Sequence, residues 1–379
     1  MIRSKKSLRG FAALVGVAAL TLSACGSSND NNKTSSGSSG SSKSSLCGKN
    51  IAFLGALTGD AGALGQNMVN GINLALKEYT GKHADCKIGL KTFDSQGSAD
   101  KAPALATQII NDDSIFGLVG PGFSGESLAT GKTFFQAGLP SISPSATNVT
   151  ITQQGWTTWH RVIGNDDAQG SSDAKYLTTT VGAKKIYVID DGQDYSKGLA
   201  GKVKSELGSA AIGSDQISKG QTDMSAVVTK VKAAGADAVF YGGYYTEAGL
   251  LAKQLRQGGF KGTFMSGDGA EDPNFVKVAG AQAANGALLS APAGPAPSGF
   301  AASGLYATQA YDATNIFLAA LDAGKTSAKD INSFIGSYTG TGASGPIAFD
   351  DKGDIKQSTI YVYKVANGQL DVNNPEAIK

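Results

Sequence analysis

Histidine is almost missing from this chain. It has two in 379 residues, His83 and His160, far apart in sequence. A histidine-based metal or catalytic cluster would have to be built from those two alone. Cysteine is nearly as scarce, with three residues, no Cys-x-x-Cys pair and no His-Glu-x-x-His helix motif, so neither a zinc knuckle nor a zincin site is expected. The charge is close to balanced, 33 basic against 31 acidic side chains, and no basic stripe stands out. That argues against nucleic-acid binding. Ten prolines stand against 51 glycines, which suits a loop-rich α/β body and not a coiled coil. No apolar run is long enough to span a bilayer comfortably. The length allows two domains of ordinary size, each with its own core.

The amino terminus carries the clearest signal. Arg3, Lys5, Lys6 and Arg9 precede an apolar run from about Phe11 to Leu22, followed by Leu22-Ser23-Ala24-Cys25. A basic start, a short apolar stretch and small residues before a cut describe a secretory signal peptide over residues 1–24. The last four residues resemble the lipobox of bacterial lipoproteins, which implies cleavage before Cys25 and lipidation on it. The chain is thus expected to be exported and held by lipid on the outer face of the cell membrane. Residues 25–46 are a Ser/Gly-rich, polar segment that cannot bury apolar surface. It reads as a flexible tether with a reach of roughly 25 Å.

Cys47 and Cys86 remain. In an oxidising compartment an even pair suggests a disulfide. Each lies just before an expected strand, Ile51–Ala56 and Lys87–Phe93. Were those strands parallel neighbours, both thiols would share one sheet edge; two free thiols are the alternative.

From residue 50 onward, short β-branched runs alternate with amphipathic ones. Met68, Ile72, Ala75, Leu76 and Tyr79 recur at helical spacing after the first strand. The alternation restarts at Lys185–Asp190 and continues through Ala238–Tyr241 and Ala287–Ser290. Two such series predict two doubly wound parallel-sheet lobes. In open sheets of this kind ligands lie beyond the carboxyl ends of the strands. Here those ends read Leu57–Asp60, Asp94–Gly97, Pro121–Gly125, Pro144–Thr147, Asp191–Tyr195, Gly242–Thr246 and Gly267–Gly269. Small, hydroxylated and aromatic residues dominate, which suits a neutral or zwitterionic ligand better than a phosphate.

Enzyme signatures fail on inspection. Gly122-Phe123-Ser124-Gly125 starts like a hydrolase elbow, but Glu126 stands where glycine is needed. Gly131-Lys132-Thr133 and Gly324-Lys325-Thr326 end like phosphate loops, yet Glu126 and Ala319 occupy the leading glycine positions. Gly59, Gly62 and Gly65 lack dinucleotide-fingerprint spacing. No catalytic residue, metal or cofactor is expected.

Taken in order, the segments Phe53–Asp60, Val119–Ser124, Ile142–Thr147, Asp190–Gly198, Tyr241–Tyr244 and Gly345–Asp350 resemble the branched-chain amino acid-binding proteins of ABC importers. The resemblance covers about residues 48–365. It implies the type I periplasmic binding protein fold, α/β, with two lobes joined by a three-segment hinge near residues 163, 290 and 348. The first lobe would be 47–163 plus 291–347, the second 164–290 plus 348–379. It further implies a monomer that closes around a small amino acid-like solute and presents it to a permease and its ATPase. Ser124 and Thr147 match positions that hold the ligand carboxylate. Ser145 matches one whose backbone carbonyl receives the ligand ammonium, and Asp268 an acidic residue that pairs with that ammonium. Tyr195 and Tyr244 match aromatic covers, and Leu64 and Tyr306 match side-chain pocket positions. Two departures bear on the solute: aspartate stands at 268 where leucine binders often carry glutamate, and leucine at 64 where an aromatic is common. Amides, urea-like solutes and aromatic acids are bound by relatives on the same fold, which also serves as an extracytoplasmic sensor.

Overall fold

The computed structural model describes residues 44–378. The signal peptide, Cys25 and most of the tether lie outside them. Leu46, at the tether's expected end, is buried in the first core.

The first half of the body opens with β1 (Asn50–Gly55), α1 (Gly62–Lys82), β2 (Gly89–Asp94), α2 (Ala102–Ile110), β3 (Ile115–Val119), α3 (Ser124–Ala137), β4 (Ser141–Ser143) and β5 (Trp159–Arg161). These five strands form one sheet in the order β2-β1-β3-β4-β5, parallel throughout. Helices cover both faces, so the central strands are apolar along their whole length: five of six residues of β1 and all of β3 are buried. The helical spacing read in α1 is the buried face of that helix. Met68, Ile72, Ala75, Leu76 and Tyr79 all point into the core.

The chain then builds α4 (Asp166–Lys175), β6 (Ile186–Asp190), α5 (Asp194–Leu207), β7 (Ala211–Gln216), α6 (Ser225–Ala233), β8 (Ala238–Gly242), α7 (Tyr245–Gln257), β9 (Thr263–Ser266), α8 (Pro273–Ala279), α9 (Ala281–Ala284) and β10 (Leu288–Ala291). It returns to the first sheet with α10 (Ala307–Asp322) and α11 (Ala328–Gly336), followed by the hairpin β11 (Thr339–Gly342) and β12 (Gly345–Ala348). It ends with β13 (Tyr361–Ala366), β14 (Gln369–Leu370) and β15 (Glu376–Ala377) in the second sheet. That sheet runs β14-β13-β10-β9-β8-β6-β7. Strands β7, β6, β8, β9 and β10 are parallel. The second sheet is the doubly wound parallel sheet expected, with an antiparallel edge added where β13 pairs with β10, β14 and β15.

Helix α10 lies against α1 and the first sheet, where Phe317 meets Phe116 edge to face. Contact with α1 is close because of Gly71. A Cβ there would sit 2.1 Å from the Ala307 carbonyl oxygen, a backbone atom that cannot step aside. Gly71→Ala is therefore expected to destabilise the protein by about 1–3 kcal/mol, the usual range for overpacking. Denaturant unfolding would read this as a lower midpoint at unchanged slope.

β1 and β2 are parallel neighbours, with Asn50 opposite Gly89. Cys47 and Cys86, just ahead of them, are joined by a disulfide with Cα atoms 4.8 Å apart. The bond closes a loop of 39 residues, which in the chain-entropy picture contributes about 4 kcal/mol. Reduction, or Cys47→Ala with Cys86→Ala, is expected to cost about 2–4 kcal/mol of unfolding free energy. An unchanged denaturation midpoint would contradict this.

Candidate functional site

Five strands deliver side chains to one place. Gly122, Phe123 and Ser124 follow β3, Ser145 follows β4, Tyr195 follows β6, Tyr244 follows β8 and Asp268 follows β9. With Tyr306, at the start of α10, they line a closed cavity of about 10 Å³ between the two sheets, room for about one water molecule. The convergence follows from parallel topology, since every strand of a parallel series ends on the same side.

Three helix amino termini meet here. α3 begins at Ser124, α5 at Asp194 and α7 at Tyr245, capped by Phe123, Gln193 and Tyr244. The first backbone N–H groups of a helix have no intrahelical acceptor and favour negative charge. On the α3 side no carboxylate lines the cavity, because Glu126 turns away. It accepts hydrogen bonds from Ser95 and from the Phe123 N–H at 3.1 Å. The wall nearest α3 therefore offers donors.

The opposite wall carries a carboxylate. Asp268 is 1 % exposed and accepts hydrogen bonds from the Tyr195 hydroxyl at 2.7 Å and the Tyr306 hydroxyl at 2.5 Å. Burial pushes its pKa up, while the two tyrosines and other hydrogen bonds pull it back toward the charged form. No basic side chain lines the cavity. Tyr306 is held at φ +69°, a left-handed conformation that a bulky residue adopts only under constraint. Tyr244 packs between Phe123 and Tyr195, its ring tilted against both with centroids at 5.4 and 5.2 Å, and so bridges the two sheets.

Six of the eight residues expected from the sequence thus line one cavity: Ser124, Ser145, Tyr195, Tyr244, Asp268 and Tyr306. Thr147 and Leu64 do not line it. Thr147 is fully buried just beyond Ser145, its hydroxyl without a partner. Leu64 is fully buried in the core on α1, one turn before Met68. The hydroxyl of Ser145 is turned inward onto the Gly122 carbonyl at 2.6 Å, and that of Ser124 accepts from the Asn148 N–H at 3.2 Å.

Sequence reading missed the residue that shapes this loop. Arg161, on β5, is fully buried. Its guanidinium donates to the carbonyls of Ala146 and Asn148, both at 2.9 Å, and to Thr152, and it pairs with Asp354. No local motif could have flagged it, because Asp354 lies 193 residues away.

Direct contacts tie the two halves around the cavity. Lys219 donates to the Gly97 carbonyl at 3.0 Å, Thr246 to the Asp60 carbonyl at 3.0 Å, and Asn148 to the Asp194 carbonyl at 2.7 Å. A larger surface cleft of about 530 Å³, lined by Phe300, Tyr311 and Tyr338 among others, lies away from the cavity. The β11–β12 hairpin borders it, and its charged groups, such as Glu78, are engaged with neighbouring side chains.

Burial raises the carboxyl of Glu126 to about 8. A folded-state pKa above the unfolded one means the folded form holds its proton more tightly. The resulting stability is complete below about pH 4.3 and is lost as pH rises through 8. His160, lowered to about 4 by burial, acts only below about pH 6.5. Between pH 6.5 and 8.5 the melting temperature of the unliganded protein is therefore expected to fall. Asp166, raised to about 8 by burial, acts in the same window, so Glu126→Gln should shrink that slope without abolishing it; an equal slope in the variant would remove Glu126 as a source.

The family model described as "Periplasmic binding protein" matches residues 49–369. The chain belongs to the periplasmic binding protein family. An "Amino acid binding protein" of Pseudomonas aeruginosa is 29 % identical over 333 residues, 83 % of this chain and 89 % of its own length. A "Leu/Ile/Val-binding protein BraC3" of Rhizobium johnstonii is 29 % identical over 342 residues, 84 % and 92 % of the two chains. The crystal structure of a leucine-binding protein, LivK, from Thermotoga maritima superposes with a TM-score of 0.77 at 27 % identity, covering 86 % of this chain and 98 % of that one. The type I fold that the resemblance implies is the fold of that relative. The family places the body outside the cytoplasm, and its relatives are binding proteins and not enzymes. Among the described residues no helix is long and apolar enough to cross a membrane.

Proposed function

We propose that this protein captures a small aliphatic amino acid, of the leucine, isoleucine or valine kind, for an ABC importer. The observation that carries the reading is the cavity's polarity. A fully buried carboxylate, Asp268, stands on one wall, helix amino termini stand on another, and no basic side chain lies between them. A zwitterion satisfies both ends. A simple aromatic acid would bring a carboxylate and nothing for Asp268 to pair with, an unpaired buried charge that costs several kcal/mol.

In this reading the solute docks by its carboxylate on Ser124 and the α3 amino terminus, with Thr147 behind. The Ser145 carbonyl and Asp268 receive its ammonium. Tyr195, Tyr244 and Tyr306 enclose it, and Leu64 backs the side-chain end from within the core. The halves 47–163 with 291–347 and 164–290 with 348–379 would turn on the three connecting segments, and the inter-sheet hydrogen bonds of Lys219, Thr246 and Asn148 would hold the closed form. Lipidation at Cys25 and the tether would keep this body near its permease. The relatives named for leucine, isoleucine and valine support the choice of solute.

A ligand that binds only the native state raises the melting temperature with concentration. Thermal-shift titration with L-leucine, L-isoleucine, L-valine, acetamide, urea and benzoate is expected to show concentration-dependent stabilisation by an aliphatic amino acid. Stabilisation by benzoate or urea alone would overturn the assignment.

A further inference from the structure

A wide groove on the second lobe has no task in the account above. It opens over about 860 Å³ between the end of α7, the turn into β9 and the segment that leads from α8 through α9 toward β10. Topology sets its place. The carboxyl ends of both sheets meet at the cavity, so the amino ends of their parallel strands point away from it. Residue 44 enters the body at the amino end of β1, while the groove lies at the amino ends of β9 and β10 in the other sheet. The groove and the tether's entry are thus at opposite ends of the body.

The groove carries one sign of charge. Lys253, Arg256 and Lys261 line it, and no carboxylate does. Among the described residues no ion pair includes any of the three. The carboxylate of Asp237, on the adjoining turn, is engaged by the backbone N–H groups of Lys184 and Lys185, both at 2.9 Å. Cations near the end of a helix complement its dipole, which accounts for Lys253 and Arg256 on α7. It does not account for Lys261, which lies beyond the helix on the turn into β9.

Arg256 is held in one pose. Its guanidinium lies over the ring of Phe260 at 5.5 Å, and Nη1 donates to the carbonyls of Phe260 at 3.0 Å and Gly262 at 2.7 Å. Nε and Nη2, the other edge of the fork, have no acceptor among the described residues. Burial lowers the pKa of this group and no carboxylate raises it, so a partly desolvated cation stands without a counter-charge. A guanidinium fixed in this way offers two parallel donors to a carboxylate.

The shape of the groove narrows the choice of occupant. Lys253, Lys261, Gln282 and Asn285 are exposed, so the groove does not enclose a small molecule as a pocket would. The amides of Gln282 and Asn285 supply donors and acceptors for peptide groups. Small residues, Ala279 and Ala281, leave room for a backbone to lie close. A lipid surface is disfavoured, because the tether enters at the opposite end of the body.

We propose that this groove docks an acidic, extended segment of a partner protein, one carboxylate on Arg256 and others on Lys253 and Lys261. The proposal does not depend on which solute fills the cavity.

The test is fluorescence anisotropy of the purified protein with a fluorescein-labelled peptide of alternating glutamate and serine, and with the same peptide carrying glutamine for glutamate. The glutamate peptide is expected to bind, more weakly as salt rises, since exposed charges are screened; the glutamine peptide is expected not to bind. Lys253→Glu with Lys261→Glu is expected to weaken binding about tenfold or more. Lys329→Glu with Lys352→Glu, an equal change of net charge away from the groove, should leave affinity within about threefold. Arg256→Gln should weaken binding as the first pair does; should it not fold, the two exposed lysines carry the test. Absence of binding, or an equal loss in both lysine pairs, overturns the proposal. So does displacement of the peptide by inorganic phosphate at constant ionic strength, which would mark a small-anion site. Cosedimentation with phosphatidylglycerol vesicles, or self-association on sedimentation, that disappears in Lys253→Glu with Lys261→Glu would overturn it in favour of a lipid surface or a second copy.

Discussion

Replacing Asp268 with asparagine is expected to weaken L-leucine binding by two to three decades. Asparagine keeps the shape, and its amide oxygen can accept from one of Tyr195 and Tyr306, whose hydroxyls reach the two oxygens of Asp268 at 2.7 and 2.5 Å; the other hydroxyl then meets the amide NH2 and must accept from it. What disappears is the negative charge opposite the ligand's ammonium. Breaking a buried ion pair by removing one partner costs about 3–5 kcal/mol, and each 1.4 kcal/mol is a decade in Kd. Because Asp268 is buried and raised in pKa, its loss should leave the unliganded protein as stable as wild type or more so. Titration calorimetry separates the two effects. Leucine affinity within threefold of wild type would mean that the ammonium is held elsewhere.

The second large effect belongs to Arg161. Removing its guanidinium leaves Asp354 unpaired, since that carboxylate faces the arginine from a largely buried position. It also takes the guanidinium donor from the Ala146 and Asn148 carbonyls, the latter keeping the Ile151 N–H at 3.4 Å. Arg161→Ala is expected to cost about 3–5 kcal/mol in unfolding free energy. Binding should weaken as well, because those carbonyls flank Thr147 and fix the loop that starts at Ser145. Urea unfolding reads the first loss and calorimetry the second. Arg161→Met with Asp354→Leu should recover stability, as apolar replacements of buried ion pairs often do, and leave binding impaired. Full recovery of binding in the double variant would show that the loop holds its shape without the guanidinium.

The sequence revealed the parts of this site that local chemistry announces. Ser124, Ser145, Tyr195, Tyr244 and Asp268 lie in loops at strands' carboxyl ends, which parallel topology brings together, and the family resemblance singled them out within those loops. Tyr306 was legible only through the family resemblance, since nothing before α10 signals a tyrosine held at positive φ. Arg161 was not legible. Its meaning comes from Asp354, brought near by folding from 193 residues away. The antiparallel edge strands β13 to β15 were missed for a related reason. They are short and end strands, and pairing depends on a partner far away in the chain. Leu64 shows the opposite failing: expected as a side-chain pocket position, it lies in the core and not on the cavity wall.

A crystal structure of the protein grown with L-leucine tests the central claim most directly. The prediction is one amino acid between the sheets, its carboxylate against Ser124 and the α3 amino terminus and its ammonium against Asp268. Leucine in the cleft of Phe300 and Tyr311, or bound between the sheets with its carboxylate turned toward Asp268, would contradict it.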